Sequence, residues 1–230
     1  MPGPEVALEG AYIVLVGSFN PAIFHPQWFA RQNVTISEQE AENASNVIML
    51  PDLTTFHTEH LTVQVTTDHF QVGTTHVPAY ELVRDLAVGA FRVLRHTPIR
   101  MLGVNRNVHF NTGTRDLWHA VGHHVAPKEV WAPILENPGT RSLTIEGTRP
   151  DGLRGAIRVK LEPSARIDPG VFLDINDHFE TEGGDQASQG DWGTQLVDTL
   201  EAQWAVCHER STRIISHISQ VIWSLRTDHE

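Results

Sequence analysis

The chain of 230 residues has one cysteine, Cys207. A single thiol cannot form an internal disulfide, so no covalent framework holds this fold. Lysine is almost as scarce, with only Lys128 and Lys160 among seventeen Lys and Arg residues, a skew that fits a GC-rich genome. Positive charge is short overall: the formal net charge is −11. Nonspecific nucleic-acid binding needs clustered cations to displace counterions, so nucleic acid is not expected as a direct partner. No stretch approaches the ~20 apolar residues that span a bilayer, and no membrane partner is expected. The opening MPGPEVALEG lacks a basic region followed by an apolar run, so a cytoplasmic location is expected. No nucleophile-elbow, Walker or dinucleotide glycine pattern occurs. There is no repeat of fixed period and no low-complexity segment.

What is present is enough apolar residue for a sizeable core: 40% of the chain is hydrophobic. The length fits one α+β domain, or two interlocked halves at 1–112 and 113–230. The stretch from Leu61 to Phe110 organises it. Leu61, Val63 and Val65 alternate with Thr62, Gln64 and Thr66, the period of a half-buried strand. Pro78 opens a helix in which Val83, Ala87, Ala90, Phe91 and Leu94 share a face. Pro98 stops it, and Ile99 to Phe110 returns as a strand, giving strand, helix, strand.

Before this centre, Ala11–Phe19 and Val47–Leu50 read as strands, and Thr54–His60 as a strand or a lead-in. Ser37 with Glu40 forms a capping box. After it, Thr114 caps a helix carrying Leu117, Trp118 and Val121. Lys128–Leu135 reads as a second short helix. Leu143–Glu146 and Ala156–Leu161 form a hairpin around the turn signal Pro150-Asp151-Gly152. Val171–Phe179 is a further strand, and Thr181–Gly190 a polar, Gly-rich loop. Leu196, Leu200, Trp204, Cys207, Ser211, Ile214, Ile218, Ile222 and Leu225 then make one apolar stripe about 45 Å long. The whole predicts an antiparallel or mixed sheet of about six to eight strands, with helices mainly on one face and a long C-terminal helix.

Thr66, Asp68 and Phe70, then Tyr80, Glu81, Val83, Arg84 and Phe91, then Gly103, Asn105 and Arg106 resemble a bacterial family of unknown function with a sporadic distribution among genomes. Leu173-Asp174-Ile175 is a weaker echo. Val104 departs from the pattern, which has an aromatic before the Asn. The resemblance implies an architecture and no reaction; its distribution implies an accessory role in a defence-type system.

The candidate sites are few. Fourteen histidines suggest a metal. His119 and His123 lie four apart on one helix face, a zinc-ligand spacing, with Asp116 as a third ligand; a metal-dependent hydrolase is the alternative function. Ala120 stands where a zincin has its Glu. His57, Glu59 and His60 read as chance neighbours, and Asp174, Asn176 and His178 as a solvated strand face. Cys207 lies on the apolar stripe and reads as core beside His208 and Glu209. Asn105 and Arg106 are expected to satisfy backbone or to pair with Glu81 or Asp85. The leading expectation is a non-catalytic binding or assembly protein acting through a protein partner or as a homo-oligomer. A helix longer than the domain is expected to leave Ile218, Ile222, Trp223 and Leu225 as the contact patch.

Overall fold

The helix starts follow from their caps. Ser37 and Glu40 close a reciprocal capping box on α1's neighbour, so α1 (Pro26–Arg31) is followed by α2 (Glu38–Glu42). Pro78 sits in a single 3-10 turn, Val77–Ala79, that leads into α3 (Tyr80–Val93). The Thr114 hydroxyl accepts from the Leu117 amide and starts α4 (Arg115–Val125). The unbroken apolar stripe gives α5 (Trp192–Thr227), one helix of 36 residues. The computed structural model describes residues 5–181 and 192–227; from residue 182 on, the loop expected at Thr181–Gly190 lies outside the described residues.

Nine strands form one sheet: β1 (Glu5–Gly17), β2 (Ser45–Met49), β3 (Leu53–His57), β4 (Thr62–Thr66), β5 (His69–Thr74), β6 (Ile99–Asn111), β7 (Leu143–Thr148), β8 (Gly155–Pro163) and β9 (Gly170–Glu180). The order is β2-β3-β4-β5-β1-β6-β9-β8-β7, and every pair is antiparallel. The α+β class is as expected, with nine strands in place of six to eight.

The added strand within the centre is β5, which the sequence hid. Thr66 and Asp68 make the turn: the Thr66 hydroxyl donates to Asp68 and accepts from the His69 amide. The chain then returns along β4, and Gly73 interrupts the apolar alternation. A Cβ there would lie 2.0 Å from Tyr12 Cδ1, so the ring of β1 occupies the place of a side chain. In the other direction, Lys128–Leu135 is no helix. It makes isolated turns in which Trp131 and Ala132 both donate to the Lys128 carbonyl. Pro133 has no N–H to continue the ladder.

The sheet also shows where the halves meet. On one side of the β1–β6 seam lie β5, β4, β3 and β2; on the other lie β9, β8 and β7. Each half ends in a helix, α3 or α5. β6 pairs with β1 on one side and with β9 on the other, and so ties the two halves into one sheet.

Helices cover one face. Val83, Leu86, Ala87, Ala90 and Phe91 of α3 enter a core with Ile13, Leu15, Val63, Val65 and Phe70. The near half of α5 adds Leu196, Val197, Leu200, Trp204 and Cys207 to it. The far half enters a second cluster with Val108, Phe110, Leu161, Val171 and Leu173, covered by Leu117 and Val121 of α4. This changes the reading of the helix end. Ile222 is only 1% exposed, and Ile218 and Leu225 pack half-buried against that cluster. Trp223 is half-buried as well. The helix crosses the sheet without breaking, and α4 gives its last turns a surface within the chain, which takes up Ile222 and part of Ile218 and Leu225.

Phe91 meets Phe70 edge to face, with centroids 4.9 Å apart. Truncating it removes a fully buried ring from the larger core. Phe91→Ala is expected to lower unfolding stability by about 3–5 kcal/mol, read by urea titration; an unchanged midpoint would contradict the packing.

Candidate functional site

Polar side chains on the helix face come first, because burial forces them to find partners. Asp177 lies on the covered face of β9. Arg149 donates from Nη1 to Asp177 Oδ1 at 2.9 Å and from Nε and Nη2 to the two Asp151 oxygens at 3.0 and 2.6 Å. Arg210 of α5 joins both carboxylates. The Arg149 guanidinium lies 3.7 Å above the Phe179 ring centre. Burial works to raise the Asp151 pKa, but hydrogen bonds from Arg149 outweigh it and hold the carboxyl below its usual range. The group is electrically balanced and closed, and it fastens α5 to the turn after β7.

A second cluster lies at the seam. Arg106 donates from Nη2 to Glu9 at 2.8 Å and from Nη1 to His208 Nε2 at 3.2 Å. It also sits 5.1 Å from the Tyr80 ring centre. The same Nη1 is 3.4 Å from His208 Nδ1, and desolvation, then Arg106, lowers the His208 pKa. Trp204 Nε1 donates to Glu81 at 2.9 Å. Tyr80, Glu81 and Arg106, which carry the family resemblance, thus converge under α5. The partner of Arg106 is Glu9, not Glu81 or Asp85. Asn105 points to the opposite face, where Asn176 Nδ2 donates to it at 2.6 Å. Cys207 is 2% exposed, and burial raises its pKa to about 12, so it does not act as a nucleophile beside His208.

His119 and His123 rim a cleft of about 290 Å³ between α4 and the Asn137–Thr140 segment. Trp118, Val121, Leu161 and Val171 line it. His123 Nε2 pairs with Glu129 at 2.9 Å. Asp116 does not line the cleft. Among the described residues no three His, Cys, Asp or Glu side chains gather as a metal site, so the structure does not bring the expected third zinc ligand to the two histidines. Lys128 donates to the Gly122 carbonyl at 2.8 Å and to that of Ala126, which ends α4. His57 bonds Thr62 at 2.9 Å, and His60 stacks on His76 at 5.0 Å.

The uncovered face holds a second cleft, of about 270 Å³, where β1, β6, β8 and β9 end. Leu8, Tyr12, Asn107, His109, Phe172 and Arg166 are among its walls. His109 is 8% exposed although it lies on the uncovered face. Its Nδ1 is 2.8 Å from Ser164 Oγ. That oxygen already accepts the amides of Arg166 and Ile167 at 3.1 and 2.9 Å. The serine proton therefore goes to His109, and the ring carries its own proton on Nε2. Desolvation, then Arg166, lower the His109 pKa. On the same face burial lowers the pKa of His178 and raises that of Asp174.

Sequence reasoning singled out none of His109, Arg166, Arg149 or Arg210, and read Asp151 only as part of a turn. The signal for the ionic group was available: Asp177 falls on the apolar face of its strand, and Arg210 follows Cys207 by three on the apolar stripe. No such signal marked the cleft, whose walls come from four strands.

No protein-family model matches the sequence, and no curated protein matches it.

Two measurements check this electrostatic picture. Cys207 is expected to react slowly with a maleimide in the folded protein and fast in denaturant; fast native labelling would contradict its burial. His109, His178 and His208 all have lowered pKa values, so the fold binds fewer protons than the unfolded chain. Their contribution is complete above the unfolded value of ~6.5 and is lost as pH falls through the lower folded values. The melting temperature is therefore expected to fall between about pH 7.5 and 5.5; a rise over that interval would reverse the sign.

Proposed function

We propose that this chain is an assembly protein that joins a second copy of itself by pairing β2 strands edge to edge. The observation that carries this is the edge itself. β2 is the first strand of the sheet, so its outer backbone groups have no strand beside them among the described residues. Val47, Ile48, Met49 and Leu50 are 42, 46, 59 and 51% exposed. Soluble proteins usually blunt such an edge with charge, proline or a bulge. Here the bulge lies between Ser45 and Ile48, with Asn46 at φ +51°; it leaves Ile48 and Met49 in regular register, and the run Val47–Leu50 carries no charge. The Val130, Trp131, Ile134 and Leu135 side chains form a second exposed apolar group.

The contact area limits the affinity. A five-residue strand and its side chains bury less than the ~1,200 Å² of a standard interface, so association in the micromolar range is expected. A non-catalytic, assembling role fits the resemblance to the sporadically distributed family, and with it an accessory place in a defence-type system. The second reading is a metal-dependent hydrolase, favoured by the cleft that His119 and His123 rim. Stoichiometric zinc in protein purified without a histidine tag, lost in His123→Ala, would select it.

Light scattering across micromolar concentrations tests the assembly. The native chain is expected to dimerise, and Ile48→Lys to give a monomer with stability changed by less than about 0.5 kcal/mol. A native chain that stays monomeric throughout, or a variant that dimerises equally well, would overturn the proposal.

A further inference from the structure

We propose that the cleft on the uncovered face binds a small organic anion, a flat ring bearing one carboxylate. The argument begins with charge. Two carboxylates line the cleft, and each already has a cation: Glu9 pairs with Arg106 at 2.8 Å and Glu162 with Lys160 at 3.3 Å. Arg166 is exposed and makes no ion pair among the described residues. Its guanidinium is therefore the one wall charge without a counterion, in a chain whose net charge is −11. A bidentate guanidinium suits a carboxylate in both shape and charge.

The second observation is His109. It is over nine-tenths buried and lines the cleft. Ser164 fixes its tautomer, which leaves the Nε2 proton as a donor with no partner among the described residues. Nε2 is not among the fully buried atoms without a partner, so it opens to water in the cleft, and a ligand oxygen can take the place of that water. Asn107 adds an amide to the same wall. Histidine and arginine together select an acceptor-rich, negatively charged group.

The remaining walls select the body of the ligand. Leu8, Tyr12, Pro163 and Phe172 are apolar or aromatic. The Phe172 ring lies 4.8 Å from His109, so an aromatic surface adjoins the donor pair. A volume of about 270 Å³ holds a single small ring with its carboxylate and falls near the lower end of small-molecule sites. The location is independent of the β2 edge, which lies at the far side of the sheet.

Benzoate is the probe, followed by calorimetry and by the histidine ring resonances in NMR. Benzoate is expected to saturate the site and shift the His109 resonance, with neutral benzamide binding at least about tenfold more weakly. Arg166→Gln changes an exposed side chain and is expected to weaken benzoate by about tenfold, the effect of one charge-assisted contact. Arg31→Gln, an equal loss of charge on another element, is expected to leave binding unchanged. Equal binding of benzoate and benzamide, or an Arg166→Gln affinity equal to that of the native chain, would overturn the proposal. So would inorganic phosphate competing as well as benzoate, which would show a generic anion site without ring recognition.

Discussion

The pairing of β1 with β6 joins two four- or five-strand half-sheets, and every other element takes its position from that seam. The two strands run antiparallel from Glu5 against Asn111 to Gly17 against Ile99. Ala11, Ile13 and Leu15 stand beside Leu102, Val104 and Arg106 on the covered face. Those apolar residues are what α3 and α5 bury. On the opposite face the seam is narrow in side chain. Gly103 has Asn176 Nδ2 where its Cβ would be, at 2.7 Å, so the Asn105–Asn176 bond needs the glycine. A wider residue there would push against the amide pair that ties β6 to β9.

The seam also explains why the two faces differ. An antiparallel sheet tolerates water on one side if the other holds the core. Both half-sheets are followed by helices that return to the same side, α3 over β5 and β1, α5 over β6 and β9. The uncovered side is left with Thr62, Gln64, Gln71, Asn105, Asn176, Arg158 and Glu146, which pair across strands, as Arg158 does with Glu146 at 2.7 Å. His109 and Phe172 depart from this rule. His109 is buried and Phe172 half-buried without a helix above them, because the chain after β8 folds over the sheet end from Ser164 to Ile167.

Local pattern carried the elements well and their neighbours poorly. Period alone predicted the β7–β8 hairpin, α3 with its buried face, and the whole of α5. Capping chemistry predicted the starts of α2 and α4. Where the pattern failed, a distant residue decided. Gly73 interrupts the apolar alternation of β5, and Tyr12 fills its place from β1. Lys128–Leu135 reads as a short helix, yet Pro133 interrupts the ladder and Val130 and Ile134 are left exposed. The end of α5 looked too long for its domain because nothing in its own sequence says that α4 lies over it. The cleft was the least legible feature. Its residues belong to separate strands and a loop, and only the register of β1, β6 and β9 brings Tyr12, His109 and Phe172 to one place.

The two halves of α5 are held by different physics, and the difference follows from the seam. Near the centre of the sheet the helix meets Asp177, Arg149 and Arg106, all buried. Taking such charges from water opposes folding, and their mutual attraction returns that loss only when the geometry is satisfied. Apolar packing of α3 and the near half of α5 must therefore supply the net stability, at about 25 cal/mol for each Å² buried. What the ionic groups add is position: Arg210 and His208 meet their partners at one register of the helix, and a slip of one turn would strand Asp177 among apolar side chains. The far half has no such restraint. Among its apolar stripe residues Ile222 alone is fully buried, while Ile214, Ile218 and Leu225 are half-buried against the second cluster. Position there depends on contacts with little direction to them, and local opening starts where few buried contacts resist it. The free energy that keeps α5 against the sheet is thus concentrated toward the seam, and α4 and the last turns of α5 form the more loosely held end.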